Sequence, residues 1–236
     1  MIVFVDMEHE RLEKVDAAGW ERSLAGCLRT KYRLEEIAGD RCLVVRYEVA
    51  SPALLQEVKA RAVVVSGFYT DFEHYGEEAL AGMRAFLLQI AVPLLAICGA
   101  HQLLASAYGG EMATMGPLPA GAPDPYAAMT QKPWGYVPGQ LQEHGFMRVH
   151  VDNGHPLFAG LEHEPLLFQA HYWEVKNLPS GWQVPAASEL CAAQALVHGE
   201  QPLVGVQFHP ERYDEAHPAG RRLLQNFFTY YVNNHR

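Results

Sequence analysis

The stretch Pro93-Leu94-Leu95-Ala96-Ile97-Cys98-Gly99-Ala100-His101-Gln102-Leu103-Leu104 constrains the fold more than any other. It begins as an apolar run of strand type and changes, at Cys98, to helical spacing. Only small residues flank the cysteine: Ala96 two before it, Gly99 and Ala100 just after. A strand that bends sharply into a helix needs small neighbours, because bulky side chains collide where the backbone doubles back. A thiol so placed sits at a helix N-terminus, where unpaired N–H groups and the dipole favour thiolate. The N–H of Gly99 is placed to help hold an oxyanion. The stretch fits equally a buried cysteine acting as a small hydrophobe in a core strand.

A second stretch separates the two readings. Gly205-Val206-Gln207-Phe208-His209-Pro210-Glu211 ends an apolar strand in a histidine, with a glutamate two positions on. Residues two apart on an extended segment point to one side. Glu211 is therefore expected to orient His209, and His209 to take the proton of Cys98, as nucleophile, base and orienter do.

With Ala96 to Gln102 and Gly205 to Glu211 both present, the chain resembles the class I, or triad, glutamine amidotransferases. The resemblance covers nearly the whole chain, including Ile2–Asp6, Ala62–Gly67, Phe168–His171 and the region around Leu223, Leu224, Asn226 and Phe227. It implies attack by Cys98 on the side-chain amide of L-glutamine, with His209 and Glu211 completing the triad. It implies an oxyanion hole from Gly99 and the Gly67–Phe68 turn, and glutamine contacts at Gln102, His171, Tyr172 and Trp173. The ring of His171 itself reads better as a structural group bonded to a loop. No cofactor or metal is implied. The ammonia would pass to an acceptor enzyme on a separate polypeptide, such as a synthetase subunit, or be released. Two departures from the family pattern stand out. Ala96 and Ala100 replace glycines by other small residues. In the turn after the third strand, usually Ser-Gly-Gly-Pro-Gly, Phe68 replaces the second glycine and Tyr69 the proline. A phenylalanine resists positive φ, so the turn is either altered or preserved with Phe68 as a pocket wall. Rival readings are a γ-glutamyl amine hydrolase on the same fold, a non-catalytic binding or regulatory module, and a redox sensor, which leaves His209 and Glu211 without a role.

The rest of the chain is consistent with an α/β domain. Strand-like runs at 2–6, 42–47, 62–65 and 94–98 alternate with helical patterns at 17–32, 53–59 and 75–90, which predicts parallel strands with right-handed crossovers in a doubly wound sheet. Reactive groups then gather at the carboxyl ends of the strands. Strands are also expected over 145–151 and as a hairpin of 195–198 with 203–208, and a closing helix over 217–233. The Pro- and Gly-rich stretch at about 112–139 loses regular periodicity and reads as an insertion in a single domain of residues 1–236. Its aromatics Tyr126, Trp134 and Tyr136 either cover a pocket or anchor the loop. With 236 residues, 49% of them hydrophobic, the chain can bury a substantial core. The 18 basic residues are outnumbered by 27 acidic ones and form no run, which argues against nucleic-acid or anionic-membrane surfaces. No apolar stretch reaches the roughly 18 to 20 residues of a membrane span, and the N-terminal apolar run reads as a strand without a signal-peptide flank. Cys27, Cys42, Cys98 and Cys191 are scattered without CxxC spacing, as expected of a cytoplasmic protein with reduced thiols. There is no phosphate loop or dinucleotide fingerprint. His9 between Glu8 and Glu10, and His163 between Glu162 and Glu164, lack zinc-site spacing and read as solvated charge.

Overall fold

Short, fully buried runs of β-branched and aliphatic residues form the middle of the sheet. The computed structural model describes residues 1–129 and 135–234. Strands β1 (Ile2–Asp6), β2 (Cys42–Arg46), β3 (Ala62–Val65) and β4 (Leu94–Ile97) come from the first half of the chain. Two short strands, β5 (Glu111–Thr114) and β6 (Glu143–Arg148), lie apart from the main sheet. They pair antiparallel with β9 (Trp173–Asn177) and β8 (Leu166–His171) respectively. Strands β7 (His150–Val151), β10 (Trp182–Ala187), β11 (Ala195–His198) and β12 (Leu203–Val206) complete an eight-stranded sheet in the order β2-β1-β3-β4-β12-β11-β10-β7. The pairings from β2 to β12 are parallel and the remaining three antiparallel. The expected hairpin of β11 and β12 is present, with Ala195 opposite Val206.

Alternation along the strands sends side chains into two cores. Ile2, Phe4, Val64, Leu95 and Ile97 face the layer holding Leu34 of helix α2 (Ala17–Ala38) and Leu223, Leu224 and Phe227 near the C-terminus. Val3, Val5, Val63, Val65 and Ala96 face helices α3 (Pro52–Glu57), α4 (Glu77–Leu88) and α5 (Gly99–Ala107) through Leu55, Met83, Phe86 and Leu103. Helices on both faces of a mostly parallel sheet are the doubly wound α/β arrangement expected.

Several boundaries differ from expectation. A short helix α1 (Arg11–Val15) precedes α2, and α2 runs past Tyr32 to Ala38, where Gly39 takes φ 60° and ends it. Residues 145–151 are not one strand: β6 pairs off the sheet and β7 joins its edge, with Val149 between them. The stretch expected to lack regular structure overlaps most of β5. The closing helix α6 (Ala219–Asn226) passes into a wider π-type turn over Phe227–Val232, which still buries Phe227, Phe228 and Tyr231. Pro133 and Trp134 lie outside the described residues.

Candidate active site

Strands β4 and β12 are adjacent and parallel, with Ile97 beside Val206. The chain therefore leaves both strands at the same edge of the sheet, carrying Cys98 out of β4 and His209 out of β12. The bend at Cys98 is real: its φ of 52° and ψ of −113° lie where non-glycine residues seldom go. The Cys98 N–H donates to the carbonyl of Val206 at 2.7 Å, which ties the elbow to β12. Ala96 and Ala100 are fully buried against it, so the methyl group is as much as the bend has taken up at either position.

His209 is buried, its backbone N–H given to the carbonyl of Phe168 at 2.7 Å. Its Nδ1 lies 2.7 Å from Glu211 Oε1. An ionised carboxylate only accepts, so Nδ1 carries the proton and Nε2 is left toward the cysteine. The expected pairing is thus present, but by another route. Pro210–Arg212 form a 3-10 turn, not an extended segment, and the turn brings Glu211 back under the ring. Burial by itself would favour neutral imidazole, but the charges of Glu211 and Cys98 outweigh it and push His209 up to about 9. Burial would likewise raise Glu211; His209 and Arg212 hold it below the usual carboxylate range. Among the described residues, Nε2 of His209 closes no hydrogen bond of normal geometry, so it is attracted to the sulfur without being committed to it.

Gly67 stands between the two side chains. A Cβ at this position would come within 2.9 Å of both Cys98 Cβ and His209 Cε1. Glycine is required here for space, since its φ is not positive. Phe68 also keeps a negative φ, so the turn is built without the conformation that a phenylalanine resists. Its ring lies against the start of α5, where a Cβ on Gly99 would meet Phe68 Cε1 at 2.5 Å. It also packs edge-on to Phe72 and Tyr75, each 5.1 Å away between ring centres. Among the described residues, no acceptor takes the backbone N–H of Gly67, Phe68 or Gly99.

The sequence reading missed Glu8, which is no solvated charge: it is 1% exposed. Its carboxylate accepts the N–H of Tyr69 (2.8 Å), the N–H of Thr70 (3.2 Å) and the Thr70 hydroxyl (2.7 Å). Burial pushes its pKa up, against these hydrogen bonds. Glu8 thus clamps the turn that carries Phe68. An acidic residue two positions past a buried strand was the only available signal.

The model of the family "Glutamine amidotransferase class-I" matches residues 33–230. The chain belongs to the class I glutamine amidotransferase family. Among curated proteins it is similar to one subunit of the glutamine-hydrolyzing GMP synthase of Methanocaldococcus jannaschii, 33% identical over 59% of this chain and 61% of that one. The corresponding subunit of Methanothermobacter thermautotrophicus is 29% identical over 61% and 63%. The matches thus span about three-fifths of those relatives' length. In fold it resembles a glutamine amidotransferase of Thermotoga maritima, with a TM-score of 0.64 and 17% identity over 98% of each chain.

Beside Cys98 this class I amidotransferase has a cavity of about 220 Å³. Gln102, Tyr172 and Trp173 line it, joined by Asp71, Phe72 and Tyr136. Gln102 uses its nitrogen on Trp173 and Gln207, and no donor reaches its oxygen among the described residues. The Tyr172 hydroxyl donates to Asp71, the one acidic side chain lining the cavity among the described residues. His171 borders the cavity, but its ring does not serve it: Nδ1 lies 2.9 Å from the Trp173 carbonyl and Nε2 2.9 Å from buried Glu143. The two readings of the loop aromatics divide. Tyr126 anchors, its hydroxyl accepting the His144 N–H at 3.2 Å, whereas Tyr136 walls the cavity with its hydroxyl given to Asp124 at 2.6 Å.

Proposed function

We propose that the protein hydrolyses the side-chain amide of L-glutamine through Cys98, His209 and Glu211. The convergence of sulfur and imidazole around Gly67, with Glu211 2.7 Å behind the ring, carries this reading. The Cys98 thiolate adds to the amide carbon, and the N–H groups of Gly99 and the Gly67–Phe68 turn receive the oxyanion. Collapse breaks the C–N bond; the His209 imidazolium gives its proton to the departing nitrogen, releasing ammonia and a glutamyl thioester. Neutral His209 then takes a proton from water, whose oxygen attacks the thioester and releases glutamate and the thiolate. An oxyanion donor typically lowers such a barrier by about 3–4 kcal/mol. Asp71 is the natural partner for the substrate's ammonium group. The ammonia goes to an acceptor on a separate polypeptide in the cytoplasm, by analogy with relatives named as one subunit of a synthase.

The aromatic walls and Asp71 also suit γ-glutamyl amines, the second reading. Assaying ammonia from glutamine beside cleavage of γ-glutamyl amines distinguishes the two. In the direct test, a diazo-ketone glutamine analogue adds its mass at Cys98 in the wild type and not in Cys98→Ser, and Cys98→Ser releases no ammonia. An unlabelled Cys98 in folded wild type overturns the enzymatic reading.

A further inference from the structure

Beneath the cysteine runs a chain of buried amides that the triad does not use. Gln102 Nε2 donates to the Trp173 carbonyl at 2.8 Å and to Gln207 Oε1 at 2.9 Å. A carbonyl can only accept, so Trp173 fixes which end of Gln102 is nitrogen. Gln102 in turn fixes Gln207, making its near atom the oxygen and directing its NH2 group to Cys98. There Gln207 Nε2 stands 3.7 Å from Sγ, within reach of an N–H···S bond. Gln207 is fully buried, and its backbone N–H donates to Gln194 at 2.9 Å, which holds it two residues before His209. A further polar neighbour of the sulfur, the Ala170 carbonyl at 3.8 Å, can only accept and so suits the protonated thiol.

We propose that Gln207 is a further catalytic residue: its side-chain amide donates to the Cys98 sulfur and stabilises the thiolate that attacks and is later expelled. The inference rests on Cys98 being the nucleophile. A donor to sulfur gains strength as the acceptor becomes an anion. The bond therefore weakens when the sulfur's electron pair forms the C–S bond and is restored when water breaks that bond. Among the described residues, the titratable groups acting on Cys98 are His209 beyond β12, itself paired with Glu211, and Tyr69 after β3, whose hydroxyl is held by Arg212. His101 of α5 faces Gly205 instead and stays neutral, because burial pushes it down to about 3.

The test needs no substrate. Iodoacetamide alkylation of Cys98 is followed against pH by peptide mass spectrometry, which separates it from Cys27, Cys42 and Cys191. Wild type is compared with Gln207→Met, which lacks the donor, and Gln207→Glu, which is nearly isosteric. Thermal midpoints report folding. At pH 7 Gln207→Met is expected to react about tenfold more slowly and Gln207→Glu more slowly still, both deficits shrinking as the pH rises. Rates within twofold of wild type for either folded variant overturn the inference and leave the triad reading intact. An inert wild-type Cys98 removes the triad reading and this one together.

Discussion

Cys98 and His209 are held in an arrangement that neither would adopt alone. The cysteine keeps a φ of 52° because β12 takes its N–H and small neighbours surround it. The histidine stays protonated because a carboxylate and a sulfur offset the loss of water around it. His209 is raised above its ordinary value, so this interaction stabilises the fold fully below about pH 6.5 and is lost as the pH passes about 9. Replacing Glu211 by Gln removes the largest effect raising His209. The alkaline limb of kcat/KM, which reports loss of the imidazolium proton, should then move to lower pH, with kcat reduced about 10²-fold or more. A pH–rate profile with an unmoved alkaline limb contradicts the assigned role of Glu211. Gly67 tests space rather than charge. Gly67→Ala puts a methyl 2.9 Å from atoms of both Cys98 and His209, so turnover should fall at least 10²-fold at a stability cost of about 1–3 kcal/mol. Steady-state kinetics beside urea denaturation separate the two effects, and wild-type activity in this variant would mean the side chains do not converge there.

At the scale of elements, the turn after β3 decides whether the oxyanion of the proposed reaction has donors. Its sequence departs from the family pattern, yet its backbone needs no left-handed residue at Gly67 or Phe68, and the Phe68 ring becomes a wall against α5. What fixes the turn is Glu8, reaching across from the end of β1. Glu8→Ala should lower kcat about tenfold or more with KM less affected, because the donors it positions act on the transition state rather than on bound substrate. A change confined to KM would place Glu8 in binding instead. This contrast shows what the sequence could convey. The central strands, the elbow and the His-Pro-Glu segment were legible because burial on both faces and small residues at a bend leave local patterns. Glu8 was not, since a carboxylate that accepts hydrogen bonds from residues more than sixty positions away looks the same as one in water. The 3-10 turn at Pro210 was missed for a related reason: the spacing of His209 and Glu211 permits an extended segment and a tight turn alike. Strand β5 escaped because its partner β9 lies far along the chain and four residues carry little periodicity. The path of residues 135–137 to the cavity had no local signature at all.

Across the whole molecule, the site is assembled from distant parts of the chain: Glu8 near the start, Gly67 and Cys98 in the middle, His209 near the end. It therefore exists only when the sheet is complete. The helical layer over β12 contributes directly, since Arg33 of α2 donates to the Glu211 carbonyl and stacks over Tyr213 at 3.9 Å. Farther out, buried Asn226 of α6 donates to the carbonyls of Leu157 (3.0 Å) and Ala159 (2.9 Å), fastening the C-terminal segment to the same core. Asn226→Ala leaves two carbonyls without that donor, and the expected cost is about 2–4 kcal/mol, although Asn226 bonds to none of Cys98, His209 and Glu211. If the site and the fold are one cooperative unit, this substitution shifts tryptophan fluorescence and labelling of Cys98 by the diazo-ketone analogue to lower urea together, with one shared midpoint. At zero urea its kcat should remain within about twofold of wild type, because Cys98, His209 and Glu211 are untouched. Labelling lost at clearly lower urea than fluorescence, in either protein, would show that the catalytic edge opens independently of the sheet.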